Sequence, residues 1–191
     1  MKVELKIKPL LVAMLGIIGI AGNAHAMKVG ASADYPVAVG NMGENFTSNL
    51  GFSVAFYPDP LLDPKIDNFI SASYDSLTVR ADGTSSFRVI PVIVGIELPG
   101  RVFDDLKTTF AVGIGAAFTY LYTPSDTSNT KLNTYFAAQV KPGLAWDVTK
   151  EIAVTGQIPI NILVTSHSLT YLAYTLGVQY NFGDSHNGAS K

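Results

Sequence analysis

The sequence predicts an all-β chain, an eight-stranded antiparallel up-and-down transmembrane β-barrel that follows a cleaved N-terminal signal peptide. Three observations lead there. From Ile152 to Phe182 the chain holds no Asp, Glu, Lys or Arg, yet its apolar residues alternate instead of running together. Ile152, Val154, Ile158, Ile160 and Ile162 share one face, and Leu172, Tyr174, Leu176, Val178, Tyr180 and Phe182 share another stretch of it, with Thr155, Gln157, Asn161, Thr175, Gln179 and Asn181 opposite. Period two means a strand with one apolar and one polar face. A soluble sheet would carry charge on its wet face, so a neutral-polar face behind an apolar one places lipid outside and a lumen inside. The second observation is composition: 48% hydrophobic against 15% charged residues, with mean hydropathy +0.27, is more apolar than soluble domains usually are. Past the first thirty residues, however, no run approaches the ~18 unbroken apolar residues of a membrane helix. The third is the set of turn signals that separates the short alternating segments.

The first 26 residues have a separate explanation. Lys2, Lys6 and Lys8 against Glu4 give a positive start, Leu10 to Ala21 is an apolar core, and Ala24-His25-Ala26 fits the small-x-small rule for cleavage. Residues 1–26 therefore read as an export signal cleaved after Ala26, residues 27–182 as the barrel and residues 183–191 as a polar tail. With no cysteine there is no acylation site and no disulfide framework. Removing the signal leaves a chain more acidic than the whole, whose net charge is −2, and this argues against a nucleic-acid partner.

The strands follow in order. Val29, Ala31, Ala33, Tyr35, Val37 and Val39 alternate with Lys28, Gly30, Ser32 and Asp34 in a first strand. A second carries Leu50, Phe52, Val54 and Phe56 on one face and Asn49, Gly51, Ser53 and Ala55 on the other, and Pro58-Asp59-Pro60 stops it. A third, Asp67 to Arg80, places Ile70, Ala72 and Tyr74 on one face, but the parity moves to Leu77 and Val79, which predicts a bulge near Asp75 or Ser76. Ala81-Asp82-Gly83-Thr84 is a tight turn.

The fourth strand, Ser86 to Leu98, points Ile90, Val92, Val94, Ile96 and Leu98 outward and Gly95 and Glu97 inward, and Pro99-Gly100 ends it. In the fifth, Phe110, Val112, Ile114, Ala116, Phe118, Tyr120 and Tyr122 alternate with Thr109, Ala111, Gly113, Gly115, Ala117 and Thr119. Its small inward face leaves room for larger residues from neighbouring strands. The sixth, Leu132 to Val148, turns Phe136, Ala138, Val140, Leu144 and Trp146 outward and Gln139, Lys141, Gly143 and Asp147 inward. Ile152 to Val164 and Thr170 to Phe182 complete the eight. Pro91, Pro142 and Pro159 lie inside strands, where each removes a ladder donor and calls for a bulge or a position free of hydrogen bonding.

An even count puts both termini on the periplasmic side. Tyr120, Tyr122, Tyr135 and Tyr171 then fall at the outer rim, and Phe56, Trp146, Tyr180 and Phe182 at the periplasmic rim. Two aromatic girdles are what a bilayer selects, and Tyr120, Tyr122, Trp146, Tyr180 and Phe182 are the expected interface aromatics. The lumen-charge candidates are Lys141, Asp34, Asp75, Arg80, Glu97 and Asp147. A buried ammonium is costly, so Lys141 is expected to pair with one of these acids or with lumen water.

The stretch Tyr174 to Phe182, with its alternating apolar residues and final aromatic, resembles the C-terminal strand of the eight-stranded outer-membrane barrels of Gram-negative bacteria, the OmpA and OmpX type. The resemblance implies residence in the outer membrane, contact with its lipid and recognition of that strand by the barrel assembly machinery. In that family the aromatic usually ends the chain, whereas residues 183–191 follow here, and they offer no cell-wall-binding domain.

Chemistry is sparse. No His and carboxylate set has metal spacing, and no cofactor motif occurs, since Gly113 and Gly115 lie within a strand. Some barrels of this type resemble lipid A hydrolases or acyltransferases with His, Ser and an acid at the outer rim. Ser166-His167-Ser168 and Asp126 occupy outer loops, but a loop histidine between serines reads as ordinary surface, and the chain is taken as non-enzymatic. The role expected is structural or interactive within the envelope, with a protein partner sought on the periplasmic side, where the turns are longer and charged. The alternatives are a narrow channel or binding barrel for a small solute, hydrophobic ones included, and then a soluble, secreted lipocalin-like barrel.

Overall fold

The computed structural model describes residues 28–40, 43–58, 63, 65–124, 132–165 and 168–182. The export signal, the C-terminal tail, Asp59-Pro60, Asp126 and Ser166-His167 lie outside the described residues. The strands are β1 (Lys28–Ala38), β2 (Phe46–Ser48), β3 (Gly51–Tyr57), β4 (Asp67–Val79), β5 (Ser86–Arg101), β6 (Leu106–Tyr122), β7 (Asn133–Asp147), β8 (Ile152–Gln157), β9 (Ile160–Val164) and β10 (Leu169–Asn181). The pairings are antiparallel, each pass lying beside the next along the chain, and β1 pairs β10, so the sheet closes on itself. All 11 residues of β1 face β10, from Lys28↔Asn181 to Ala38↔Tyr171. Closure removes the free edge that an open sheet of this hydrophobicity would expose.

The 10-stranded sheet makes eight passes, because β2 with β3 and β8 with β9 each cross together. The two interruptions have different causes. Between Ser48↔Leu77 and Phe52↔Tyr74, the three residues Asn49, Leu50 and Gly51 stand against Asp75 and Ser76, which is a bulge. The bulge thus lies on the strand facing Asp75, not within β4 as the sequence predicts, and the register of β4 on β5 runs unshifted through it. Gly51 makes it feasible, since a Cβ there would sit 2.5 Å from the Tyr74 carbonyl oxygen. Leu77 keeps the inward parity of Asp75 and is buried, so the apolar residue that signalled an outward face belongs to the lumen.

The β8 to β9 break keeps its register on both neighbours and coincides with proline. Pro142 on β7 and Pro159 have no N–H to give, and the backbone compensates with Ile158 N donating to Pro142 O at 2.9 Å and Ala173 N donating to Pro159 O at 2.9 Å. Pro91 sits opposite the gap at Ser73 and Tyr74, where the β4–β5 ladder skips. At Pro142 and Pro159 the return bond of each pair is left unmade, which is where the strand is interrupted, and Pro91 lies where the β4–β5 ladder already skips. Pro99-Gly100 does not end β5, which runs on to Arg101 paired with Lys107. At the outer turn, Asp82 Oδ1 accepts from Thr84 N at 3.0 Å and Ser85 N at 2.9 Å, and Gly83 takes φ +62°.

The exterior follows the alternation. Val94, Ile114, Leu176 and Val178 are each half or more exposed, and the outward positions of β5, β6 and β10 form a continuous apolar band. A soluble barrel would hold charge on that face. A bilayer covers it instead.

Candidate functional site

Side chains fill the lumen in layers. At the end where β1 begins and β10 ends, two ion pairs bridge strands: Lys28 to Asp67 at 2.6 Å and Lys107 to Asp147 at 2.6 Å. Deeper, Lys141 Nζ stands 3.8 Å from Glu97 Oε2, with both side chains nearly inaccessible, and 4.6 Å above the Phe69 ring. Tyr57 OH donates to Glu97 Oε2 at 3.3 Å. The Phe69 ring lies over the facing glycines Gly95 and Gly113, whose missing side chains make its seat; a Cβ on Gly95 would be 2.8 Å from the ring. Small residues at the inward positions of β6 thus accommodate a large one from β4.

The middle layer is polar. Ser53 Oγ donates to Asp34 Oδ1 at 3.1 Å and lies 2.6 Å from Ser32 Oγ, and Gln139 Nε2 donates to Asn161 Oδ1 at 2.8 Å. Asp75 Oδ2 accepts from Tyr171 OH at 2.8 Å and from Ser73 Oγ at 3.1 Å. Asp34, Asp75, Gln139 and Asn161 line a cavity of about 50 Å³. Asp75 Oδ1 and Gln139 Oε1 receive no hydrogen bond from the described residues. Such a space suits ordered water, which needs roughly 10–15 Å³ and several polar partners. Toward the outer end the lumen turns apolar: Leu77, Val89, Ile93 and Leu163 are almost wholly buried, Tyr171 packs with them, and Phe46 meets Phe87 at 5.8 Å between ring centres.

Among the lumen-charge candidates, then, Asp34, Asp75, Glu97 and Lys141 are buried, and Asp147 is half-buried at the inner mouth on Lys107. Arg80 does not enter the lumen: it lies exposed in the outer turn, its Nε donating to Phe46 O at 3.0 Å, because β4 ends one residue before it. Tyr171 is not a rim aromatic either, since it shares the inward parity of Ala173 and Thr175 and plugs the interior. Tyr120 and Tyr122 are half-buried on the outward face, and Trp146, Tyr180 and Phe182 are exposed at the inner rim, the last two in edge contact at 4.7 Å. Sequence reasoning missed Tyr57, Phe69 and Tyr171 as lumen residues. Their odd parity beside Ala55, Ser71 and Ala173 was the available signal. Among the described residues no group of three or more His, Cys, Asp or Glu could hold a metal ion.

Closed antiparallel passes, an apolar band outside and a side-chain-filled polar lumen define a transmembrane β-barrel. The chain is similar in fold to Neisserial surface protein A, at 13% identity, covering 82% of this chain and 99% of that one with TM-score 0.64. It is also similar to Ail, the attachment invasion locus protein of Yersinia pestis, at 9% identity over 84% of this chain and 100% of that one, TM-score 0.55. The fold is thus that of the eight-stranded outer-membrane barrels of Gram-negative bacteria. No protein-family model matches the chain, and no curated protein matches it significantly.

Proposed function

We propose that the protein is exported with loss of residues 1–26 and serves as a structural or interaction component of the outer membrane, neither enzyme nor pore. The observation that carries this reading is the packing of Leu77, Val89 and Leu163 in the outer part of the lumen, with Ile93 closing on the polar cavity from the same side. Eight strands leave an interior just wide enough for side chains, and here apolar ones occupy the path that water and ions would need. Recognition then falls to the ends. The inner turn after β5 exposes Val102 and Phe103 between Arg101 and Asp104, a surface suited to a periplasmic partner.

Single-channel recording in planar bilayers tests the reading. Neither the wild type nor Lys141→Ala should conduct, because this packing lies beyond Lys141. Steps of conductance in the wild type that Lys141→Ala alters would replace it with the channel. The polar cavity beneath this packing favours a second reading, a binding barrel for a small solute entering from the inner end. Uptake of such a solute by wild-type vesicles, lost in Asp75→Leu, would support it.

A further inference from the structure

On β5 the outward positions Ile90, Val92, Val94, Ile96 and Leu98 form the apolar band, and the next outward position toward the outer end is Arg88. Its neighbours change character at the same level. On β6 the series from Phe110 to Phe118 gives way to Tyr120 and Tyr122, and on β4 Ile70 and Ala72 give way to Tyr74, Ser76 and Thr78. Arg88 faces Ser76 on one side and Tyr120 on the other. A guanidinium therefore stands on the membrane-facing surface where hydrocarbon meets headgroups.

The guanidinium is held in place. It lies 4.2 Å from the Tyr122 ring centre and 5.6 Å from that of Tyr120, its Nε donates to Ser86 Oγ at 3.2 Å and its Nη1 to Tyr120 OH at 3.4 Å. Every one of these partners is neutral, and no carboxylate pairs with Arg88 among the described residues. An uncompensated cation beside hydrocarbon is costly unless an anion at the interface meets it. The two rings and the two hydroxyl contacts hold the guanidinium, and a held fork suits two-point capture of a tetrahedral oxyanion better than a mobile ammonium would.

We propose that Arg88, with Ser86, Tyr120 and Tyr122, is a docking site for the phosphate of a membrane lipid headgroup. The site rests on the membrane placement of the barrel and not on whether the lumen conducts. The lipid phosphate has two sources, a phosphorylated glycolipid of the outer leaflet or a phospholipid, and the shared chemistry is the phosphate oxyanion.

The test is native mass spectrometry of the full chain, folded in detergent and titrated with a phosphorylated outer-leaflet glycolipid, the same glycolipid after dephosphorylation, and phosphatidylglycerol. The wild type should retain a phosphorylated lipid about tenfold more tightly than the dephosphorylated one, as expected for a charge-assisted contact. Arg88→Gln should abolish that difference, and Arg88→Lys should keep part of it. Tighter binding of the glycolipid or of phosphatidylglycerol identifies which phosphate is taken. Equal retention of phosphorylated and dephosphorylated glycolipid together with indifference to phosphatidylglycerol, or an Arg88→Gln variant that folds by gel mobility and binds as the wild type does, would overturn the proposal.

Discussion

Replacing Lys141 by alanine removes the buried cation of the lumen and strands Glu97, whose side chain is only 5% accessible and 3.8 Å away. Removing one partner of a buried pair costs about 3–5 kcal/mol, because the survivor keeps its desolvation penalty without its counterion. Glu97 retains the Tyr57 hydroxyl as a donor at 3.3 Å, which offsets part of the loss and puts the cost near the lower bound. The contact with the Phe69 ring at 4.6 Å disappears as well, worth about 1–2 kcal/mol in a desolvated setting. A net loss of about 4 kcal/mol is roughly three factors of ten in the folding equilibrium. Urea unfolding from lipid vesicles reads it directly, since Trp146 is the one tryptophan of the chain and lies at the inner rim. The double variant Lys141→Met with Glu97→Gln should recover to within about 1 kcal/mol of wild type, because a neutral lumen layer has no charge to compensate. A Lys141→Ala protein of wild-type stability, or a double variant as unstable as the two singles summed, would refute this account of the pair.

Other consequences follow from the same geometry. Tyr171→Phe withdraws the 2.8 Å hydrogen bond to Asp75 in the interior and should cost about 1–3 kcal/mol in the same urea assay, as leaving a buried acceptor short of its donor does. Gly113→Ala would set a Cβ 2.5 Å from Ile93 Cγ2 and 3.1 Å from the Phe69 ring, and over-packing of this kind costs about 1–3 kcal/mol. In the outer turn, the Ser85 hydroxyl together with the Ser85 and Thr84 amides holds the Asp82 carboxyl below its ordinary value of 3.8. The sign of the linkage follows: this ordering is fully present above the ordinary value and fades as pH falls through the lowered one. The protection factors of the Thr84 and Ser85 amides, taken against the intrinsic exchange rate at each pH, should therefore fall in acid, and Asp82→Ala should lower them near neutral pH and lose its effect in acid.

The barrel was legible in the sequence because lipid outside and lumen inside impose period two on every pass, as in the apolar series from Phe110 to Tyr122 and from Leu172 to Phe182. That same rule misled wherever the lumen is apolar. Leu77 and Tyr171 are large and hydrophobic, and alternation alone assigns such residues outward, whereas closing the outer half of the lumen needs them within. The bulge predicted near Asp75 came from the same error, since β4 alternates without a break and the extra residue stands at Asn49 to Gly51 on the facing strand. The inward carboxylates and Lys141 were readable as positions. Their partners were not, because Glu97 meets Lys141 and Asp75 meets Tyr171 across the lumen, between strands that share no ladder. Arg80 went astray by a single residue at the end of β4, where a strand becomes a turn.

The closure of β1 on β10 is the feature on which the barrel depends, and the chain brings no cysteine to confuse its test. Ala33 faces Leu176 directly across the seam. Cysteines at these two positions, in protein held in isolated outer membranes, should join in a disulfide on mild oxidation, while cysteines at Ala33 and Val178, one step out of register, should stay unlinked, because a bridge needs Cα atoms within about 7 Å. A disulfide absent from the in-register pair, or formed equally by both pairs, would contradict a closed barrel with this seam.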